Sequence, residues 1–160
     1  MNLHAFLQAA GRDREAYEQT LKVLELDGNL VVARVSVAHF HAHWGQLSEA
    51  VAAARQAHAV GPWYADATAT LAALLRRTGE ESEARTLYES LGASETFGDA
   101  RAQAVYHLLY GDVDTAADWV EKAIEQRDQS MMYYLRFVIS RPLQASDRWT
   151  RIARMINVPA

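Results

Sequence analysis

The densest group of potential metal ligands in the chain is the segment His39-Phe40-His41-Ala42-His43. His39 and His43 are four residues apart, so on a helix both imidazoles lie on one face, at a spacing that lets two side chains bind one metal ion. The glutamate that follows the first histidine in metalloprotease motifs is missing, and the spacing indicates no third ligand. The alternative, which we prefer, is that these histidines line or flank a binding groove.

The chain carries none of the motifs that usually support catalysis. It contains no Gly-rich phosphate loop, no Gly-x-Ser-x-Gly nucleophile elbow and no cysteine. The acidic run around Glu80 and Glu81 lies at a predicted helix start, where carboxylates stabilise the helix dipole without any chemical role. We therefore expect no enzymatic activity and no cofactor.

Composition restricts the remaining functional classes. With 160 residues, 50% of them hydrophobic, the chain can build one ordinary domain with a continuous core. The net charge of −4 argues against nucleic acid as the main partner, because phosphate binding needs clustered Lys and Arg. The sequence has no apolar run of about 18 residues, so we expect no membrane span. The absence of cysteine favours a cytoplasmic location.

Four regularly spaced glycines indicate which helices carry the histidine cluster and the other polar residues. Gly11, Gly45, Gly79 and Gly111 follow one another at spacings of 34, 34 and 32 residues, and the first three begin the pattern Gly-x-x-x-Glu-Ala. A period near 34 with a glycine turn is typical of stacked helix-turn-helix repeats. The sequence therefore predicts an almost entirely helical chain.

Each of these glycines is predicted to be the turn between a helix A before it and a helix B after it. Helix A is predicted at about 2–10, 30–44, 64–78 and 97–110, and helix B at about 13–27, 47–60, 81–91 and 113–126. After the repeats, we expect a helix over 129–139 that Pro142 breaks, and a last helix that Ser146 caps.

These residues resemble the tetratricopeptide repeat family, most completely in the second repeat. There Ala38, Gly45, Ala50, Ala57 and Pro62 match the small, turn and closing positions of the family pattern. The family's early tryptophan and its helix-A tyrosine are replaced in this chain. The resemblance implies an all-α fold, a right-handed alpha-solenoid of stacked helix-turn-helix hairpins with C-terminal capping helices. We expect a single domain over 1–160, with repeats at about 1–28, 29–62, 63–94 and 95–127 and capping helices at about 128–157.

The tail carries a second resemblance. The segment 135–142, the trio Asp147-Arg148-Trp149 and the basic and aliphatic helix that follows look like the closing segment of repeat modules in large bacterial signalling chains. In those chains an adenylyl cyclase, protein kinase or winged-helix DNA-binding domain typically precedes the repeats. This resemblance implies a regulatory module, and we expect the sequence to be a piece of a longer chain.

The repeat resemblance also implies which helix-A residues face a concave groove. They lie two, three, six and ten residues before each turn glycine, and the predicted lining is Val35, His39, His43, Ala73, Arg76, Arg77, Arg101 and Val105. Histidines beside arginines suit an acidic peptide, a carboxylate or a phosphate, because Arg binds such groups through paired hydrogen bonds. The alternative is a solvated charged face.

We therefore expect a non-enzymatic interaction scaffold or regulatory module that binds a peptide or protein segment in this groove. One alternative is self-association, in which the first helix and the apolar tail pair with another copy or with a neighbouring domain. The other alternative is a metal site at His39 and His43.

Overall fold

The computed structural model describes residues 2–92 and 98–158, and these ranges hold helices and turns with no β-strand. The first eight helices are α1 (Asn2–Ala9), α2 (Asp13–Leu26), α3 (Val31–His43), α4 (Leu47–Val60), α5 (Ala65–Thr78), α6 (Glu81–Ser90), α7 (Asp99–Tyr110) and α8 (Val113–Glu125). They are followed by α9 (Gln129–Tyr134), a 3₁₀ helix (Val138–Ser140), α10 (Arg141–Gln144) and α11 (Trp149–Met155). No helix in the described ranges has both the length and the apolar character needed to cross a bilayer.

The first eight helices form four hairpins, in each of which an A helix (α1, α3, α5, α7) is followed by a B helix (α2, α4, α6, α8). Their ends lie within two residues of the predicted ends wherever the structure describes them. The predicted start of the fourth helix A at residue 97, and the predicted repeat boundary at 94 and 95, lie outside the described residues.

The turn inside each hairpin depends on its glycine. Gly11, Gly45, Gly79 and Gly111 have φ angles of 71°, 74°, 89° and 99°, in the left-handed region that side chains disfavour. Gly79 and Gly111 directly follow the last residues of α5 and α7, where this conformation ends a helix and lets the chain reverse. The predicted turn function of these glycines is confirmed.

Small residues bring the hairpins together. Ala16, Ala50, Ala84 and Ala116, at one repeated position of the B helices, are at most 2% exposed. Such side chains let helix axes approach closely, so the apolar faces of neighbouring helices are sealed from water. Along the array, α3 packs on α5 and α5 packs on α7, so these A helices form a continuous face. We call the surface of the four A helices the A-helix face.

The region after α8 differs from the prediction in two respects. The helix predicted over 129–139 ends at Tyr134, and Pro142 lies in the first turn of α10 rather than breaking a helix. Proline is well tolerated there, because the first-turn N–H groups of a helix have no partner within the helix. The predicted cap at Ser146 is also wrong: its hydroxyl donates to the carbonyl of Leu143, while Arg148 precedes α11 without a side-chain cap.

Residues 129–144, which we call the C-terminal segment, fold back over the hairpins. The 3₁₀ helix packs on α3 and on α7, while α10 packs on α8. Met131, Leu135, Val138 and Leu143 are at most 2% exposed and join the same hydrophobic core as the hairpins. The C-terminal segment is thus a buried part of the domain.

Candidate binding groove

The predicted groove residues divide into a buried group and an exposed group. Val35, His39, Ala73, Arg101 and Val105 are all less than 9% exposed. His43, Arg76 and Arg77 reach the surface. A residue must be accessible before another molecule can touch it, so the buried group contacts an external segment only after the covering residues move.

Arg101 lies at the centre of a buried polar cluster. Its Nε donates to Oδ2 of Asp66 at 3.0 Å, and its Nη1 donates to Asp128. The hydroxyl of Tyr134 donates to the same Asp66 oxygen at 2.6 Å. Burial raises the pKa of Tyr134 and the neighbouring Asp66 carboxylate raises it further, so the hydroxyl keeps its proton and remains a donor.

This cluster joins three parts of the chain. Asp66 comes from α5 and Arg101 from α7. Asp128 directly precedes α9, and Tyr134 is its last residue. Buried charges are tolerated only when they are paired and hydrogen-bonded, and here each carboxylate has a guanidinium partner. Arg101 is therefore already neutralised within the chain, whereas the sequence had suggested it as a cation for a partner.

His39 is a second contact point between the A-helix face and the C-terminal segment. Its Nε2 lies 3.0 Å from the hydroxyl oxygen of Thr70, and the Tyr134 ring is 6.2 Å from its own ring, edge to face. Burial lowers the pKa of His39 to about 3, and the nearby His4 lowers it in the same direction. His39 is consequently a neutral, packed imidazole at neutral pH.

The metal alternative finds little support in this geometry. Thr70 occupies the Nε2 edge of His39, and His43 lies instead beside Asp13 and Arg141. Over the ranges that the structure describes, no three His, Cys, Asp or Glu side chains are grouped so that they could hold a metal ion. Two imidazoles with separate partners do not make the three or four ligands of a zinc site.

The far end of the C-terminal segment is tied to the first hairpin. Arg141 donates from Nη1 and Nη2 to the two oxygens of Asp13, each at 2.6 Å, and its Nη1 is 3.0 Å from Nε2 of His43. The backbone N–H of Val138 donates to the side-chain carbonyl of Gln8 at 2.8 Å. The segment thus reaches from α8 back to α1 and the start of α2.

Arg76 and Arg77 remain exposed but have contacts within the chain. Arg76 donates to the hydroxyl of Tyr106 at 2.9 Å, and its guanidinium carbon lies 4.2 Å from the centre of the Tyr110 ring. Arg77 donates to the carbonyl of Leu109 at 3.1 Å. The Nε of Arg76 also lies 4.0 Å from a carboxylate oxygen of Glu81. Both arginines are exposed, so they stay accessible to an acidic group.

Sequence reasoning missed Asp66, Asp128 and Tyr134. The one available signal was Asp66, a carboxylate that stands in the alanine-rich segment 65–75 and would need a buried partner if that helix were covered. Nothing in the spacing identified Arg101 as that partner. On the A-helix face, the hydrogen-bond acceptors of Asp66 and Gln8 and the apolar surface around them are occupied by the chain's own C-terminal segment.

Comparison with known proteins agrees with the repeat pattern. A tetratricopeptide repeat family model matches residues 45–109, from the turn glycine Gly45 to the last turn of α7. No curated protein matches the chain. Tetratricopeptide repeats generally mediate protein–protein interaction and are typically non-enzymatic. The matched range contains Gly45 and Gly79, two of the four turn glycines that define the repeat period.

Proposed function

We propose that the chain is a non-enzymatic protein-interaction module, a right-handed solenoid whose A-helix face binds an extended or helical segment of polypeptide. The observation that carries the proposal is that this face, together with Asp13 at the start of α2, already holds such a segment, residues 129–144 of the same chain. A surface that binds one segment through side-chain and backbone hydrogen bonds can bind another of similar chemistry. The C-terminal segment then acts as an internal competitor.

The contacts of the C-terminal segment define what a competing segment must offer. Asp66 takes a hydroxyl hydrogen from Tyr134, and Asp13 takes two hydrogens from Arg141, seven residues later. Between them lie aliphatic side chains in the core. We therefore propose a partner with a tyrosine, an aliphatic stretch and a basic residue in that order. Arg76 and Arg77 remain our candidates for contact with an acidic partner.

Competition between the C-terminal segment and an added peptide tests the proposal. A fluorescent peptide with the sequence of residues 129–144 is titrated against the wild-type chain and against the double variant Tyr134→Phe, Arg141→Ala. The variant segment binds its own face less well, so the face is free more often and the peptide should bind roughly tenfold more tightly. The matched control is Arg154→Ala, which removes an exposed arginine of α11.

Two further measurements make the outcome decisive. Circular dichroism and mass must show that both variants are as helical and as monodisperse as the wild type. A control peptide with the same two substitutions should bind the double variant more weakly than the native peptide does. Equal binding of the native peptide to wild type and double variant, or no binding to either, would contradict the proposal.

Self-association is the second candidate, and one observation favours it. Two contacts that hold the C-terminal segment join residues far apart in the sequence, with separations of 128 and 130 positions. Identical contacts can therefore form between two copies that exchange this segment. Concentration-dependent mass distinguishes this from binding of a separate partner. In either case the resemblance of the tail to bacterial signalling chains supports a regulatory setting, which we retain as part of the proposal.

A further inference from the structure

A groove between α1 and the C-terminal segment is lined by other residues than those that bind Tyr134 and Arg141. It has a volume of about 420 Å³ and is lined by Ala5, Phe6, Gln129, Met132, Tyr133 and Arg136. Phe6 from α1 is 64% exposed and Tyr133 from α9 is 56% exposed. Large exposed aromatic side chains that line one cavity are typical of a protein-binding site.

Arg136 gives this groove its charge. Its side chain is exposed, and it makes no hydrogen bond or ion pair within the described part of the chain. It also lines a second cavity of about 300 Å³, together with Gln8, Ala9, Gly11, Arg141 and Gln144. The described lining of the two cavities contains no carboxylate, and the other arginine there, Arg141, is held by Asp13. Arg136 is therefore the cation that an incoming acid would meet.

We propose that this groove binds an acidic segment of a partner protein, in which a large apolar side chain stands next to an aspartate or glutamate. The apolar side chain packs between Phe6 and Tyr133, and the carboxylate accepts two hydrogen bonds from the guanidinium of Arg136. The occupant is acidic because, among the described residues, the groove offers the guanidinium of Arg136 and no carboxylate. Basic and neutral segments gain the apolar contact alone.

This surface depends on the C-terminal segment in its docked position. Met132, Tyr133 and Arg136 all belong to residues 129–144, whereas Ala5 and Phe6 belong to α1. The groove therefore exists only while the segment lies against the first hairpin. Binding here goes beyond the proposed exchange at the A-helix face, because the partner leaves the segment in place and stabilises it there.

The test uses blocked four-residue peptides and the full chain labelled with ¹⁵N. The two central positions are varied over Leu, Ile, Met, Phe and Trp, and the flanking positions are both Asp or both Lys. Amide shifts of α1 and α9 report binding. Acidic members should bind roughly fivefold more tightly than basic members with the same apolar pair, as expected for one exposed charge pair with good geometry.

Three variants separate the contributions. Arg136→Glu should reverse the preference from acidic to basic peptides, and Phe6→Ser should weaken both classes. Arg85→Glu makes the same charge change on an exposed arginine of α6 and should leave the wild-type preference intact. The proposal is overturned if no peptide shifts the amides of α1 and α9, if acidic and basic members bind equally, or if Arg136→Glu leaves the preference unchanged.

These outcomes are independent of those for the A-helix face. The peptide-exchange experiment substitutes Tyr134 and Arg141, whereas the experiment on the groove substitutes Phe6 and Arg136. Failure of exchange with success here would leave an acid-binding surface on a permanently docked segment. Success of exchange with failure here would leave the A-helix face as the binding site.

Discussion

Arg141 donates two hydrogen bonds of 2.6 Å to the carboxylate of Asp13, although the two residues are 128 positions apart in the chain. The pair is partly shielded, with side-chain exposures of 34% and 14%. A bidentate pair of this kind fixes both position and orientation, which an exposed single contact does not. It therefore locates the end of the C-terminal segment on the first hairpin.

Loss of this pair should destabilise the domain measurably. We expect Arg141→Ala to lower the free energy of unfolding by about 1–2 kcal/mol, because Asp13 then loses both of its side-chain donors. Urea denaturation gives the value. Arg136→Ala removes an exposed side chain of the same segment that has no ion pair among the described residues, and it should change stability by less than about 0.5 kcal/mol. A double-mutant cycle with Asp13→Ala should give a coupling near 1 kcal/mol, and additive effects would show that the pair contributes nothing.

The buried cluster should be more sensitive than the surface pair. Arg101→Met leaves Asp66 and Asp128 buried without their cation, so we expect a loss of about 3–5 kcal/mol. Tyr134→Phe removes one hydrogen bond to a carboxylate, and we expect a loss of about 2 kcal/mol. Tyr133→Phe is the matched control, since this exposed neighbour donates no hydrogen bond within the described part of the chain. Equal stability of the two tyrosine variants would contradict the importance of the Asp66 contact.

Stability should fall as the solution is acidified through the range of histidine titration. The pKa of His39 is lowered to about 3 in the folded chain by burial, so between pH 6.5 and pH 3 the unfolded chain binds the proton that the folded chain refuses. In that window each unit of acidification should cost about 1 kcal/mol of stability from this residue alone. The contribution is absent above pH 7, where the imidazole is neutral in both states.

The variant His39→Gln isolates this effect from the other titrating groups. The difference in unfolding free energy between wild type and variant should shrink steadily as the pH falls from 7 to 5, because contributions from carboxylates and the remaining histidines cancel. Denaturant titrations at fixed ionic strength provide the measurement. A difference that stays constant over this range would mean that His39 titrates normally.

A glycine between the second and third hairpins should be intolerant for a steric reason. Gly61 has an ordinary negative φ of −136°, but a β-carbon added there would lie 2.5 Å from a methyl group of Val31. We expect Gly61→Ala to cost about 1–3 kcal/mol through overpacking, and Val31→Ala in the same chain to recover part of that cost.

Gly79→Ala provides the comparison, because its φ is 89° and nothing lies within 4 Å of an added β-carbon. Its cost, about 1 kcal/mol, comes from backbone strain, and no neighbouring substitution should recover it. Thermal unfolding of the four variants, Gly61→Ala, Val31→Ala, their combination and Gly79→Ala, gives both costs and shows whether Val31→Ala recovers part of the first. If Val31→Ala fails to improve Gly61→Ala, the steric account is wrong.

The hairpins could be predicted from the sequence because their signals are local. A glycine such as Gly45 ends one helix and begins a turn within a few residues, and Ala50 identifies the packed face of the following helix one turn later. The same signals recur in each repeat, so a position that is ambiguous in one repeat is predicted from the equivalent position in the others. The sequence accordingly predicts the ends of the eight hairpin helices to within two residues wherever the structure describes them.

The occupied face could not be predicted in the same way. Spacing from the turn glycine places His39 and Arg101 on the inner side of their helices, but it carries no information about residues that arrive from 27 or more positions away. The short helices of the tail add a second difficulty, since a helix of six residues such as α9 leaves hardly any periodic pattern. Sequence pattern consequently places Pro142 at the end of a helix, whereas it lies in the first turn of α10.

Arrays of helical hairpins ordinarily contact only their neighbours, so their end repeats can fray while the middle stays folded. The chain described here has contacts between residue 8 and residue 138 and between residue 13 and residue 141. Separation of the first hairpin therefore also exposes the core residues of the tail, and the two ends should open together. The same contacts raise the contact order of an otherwise local topology, so we expect slower folding and a sharper, more cooperative transition than in an open array of four hairpins.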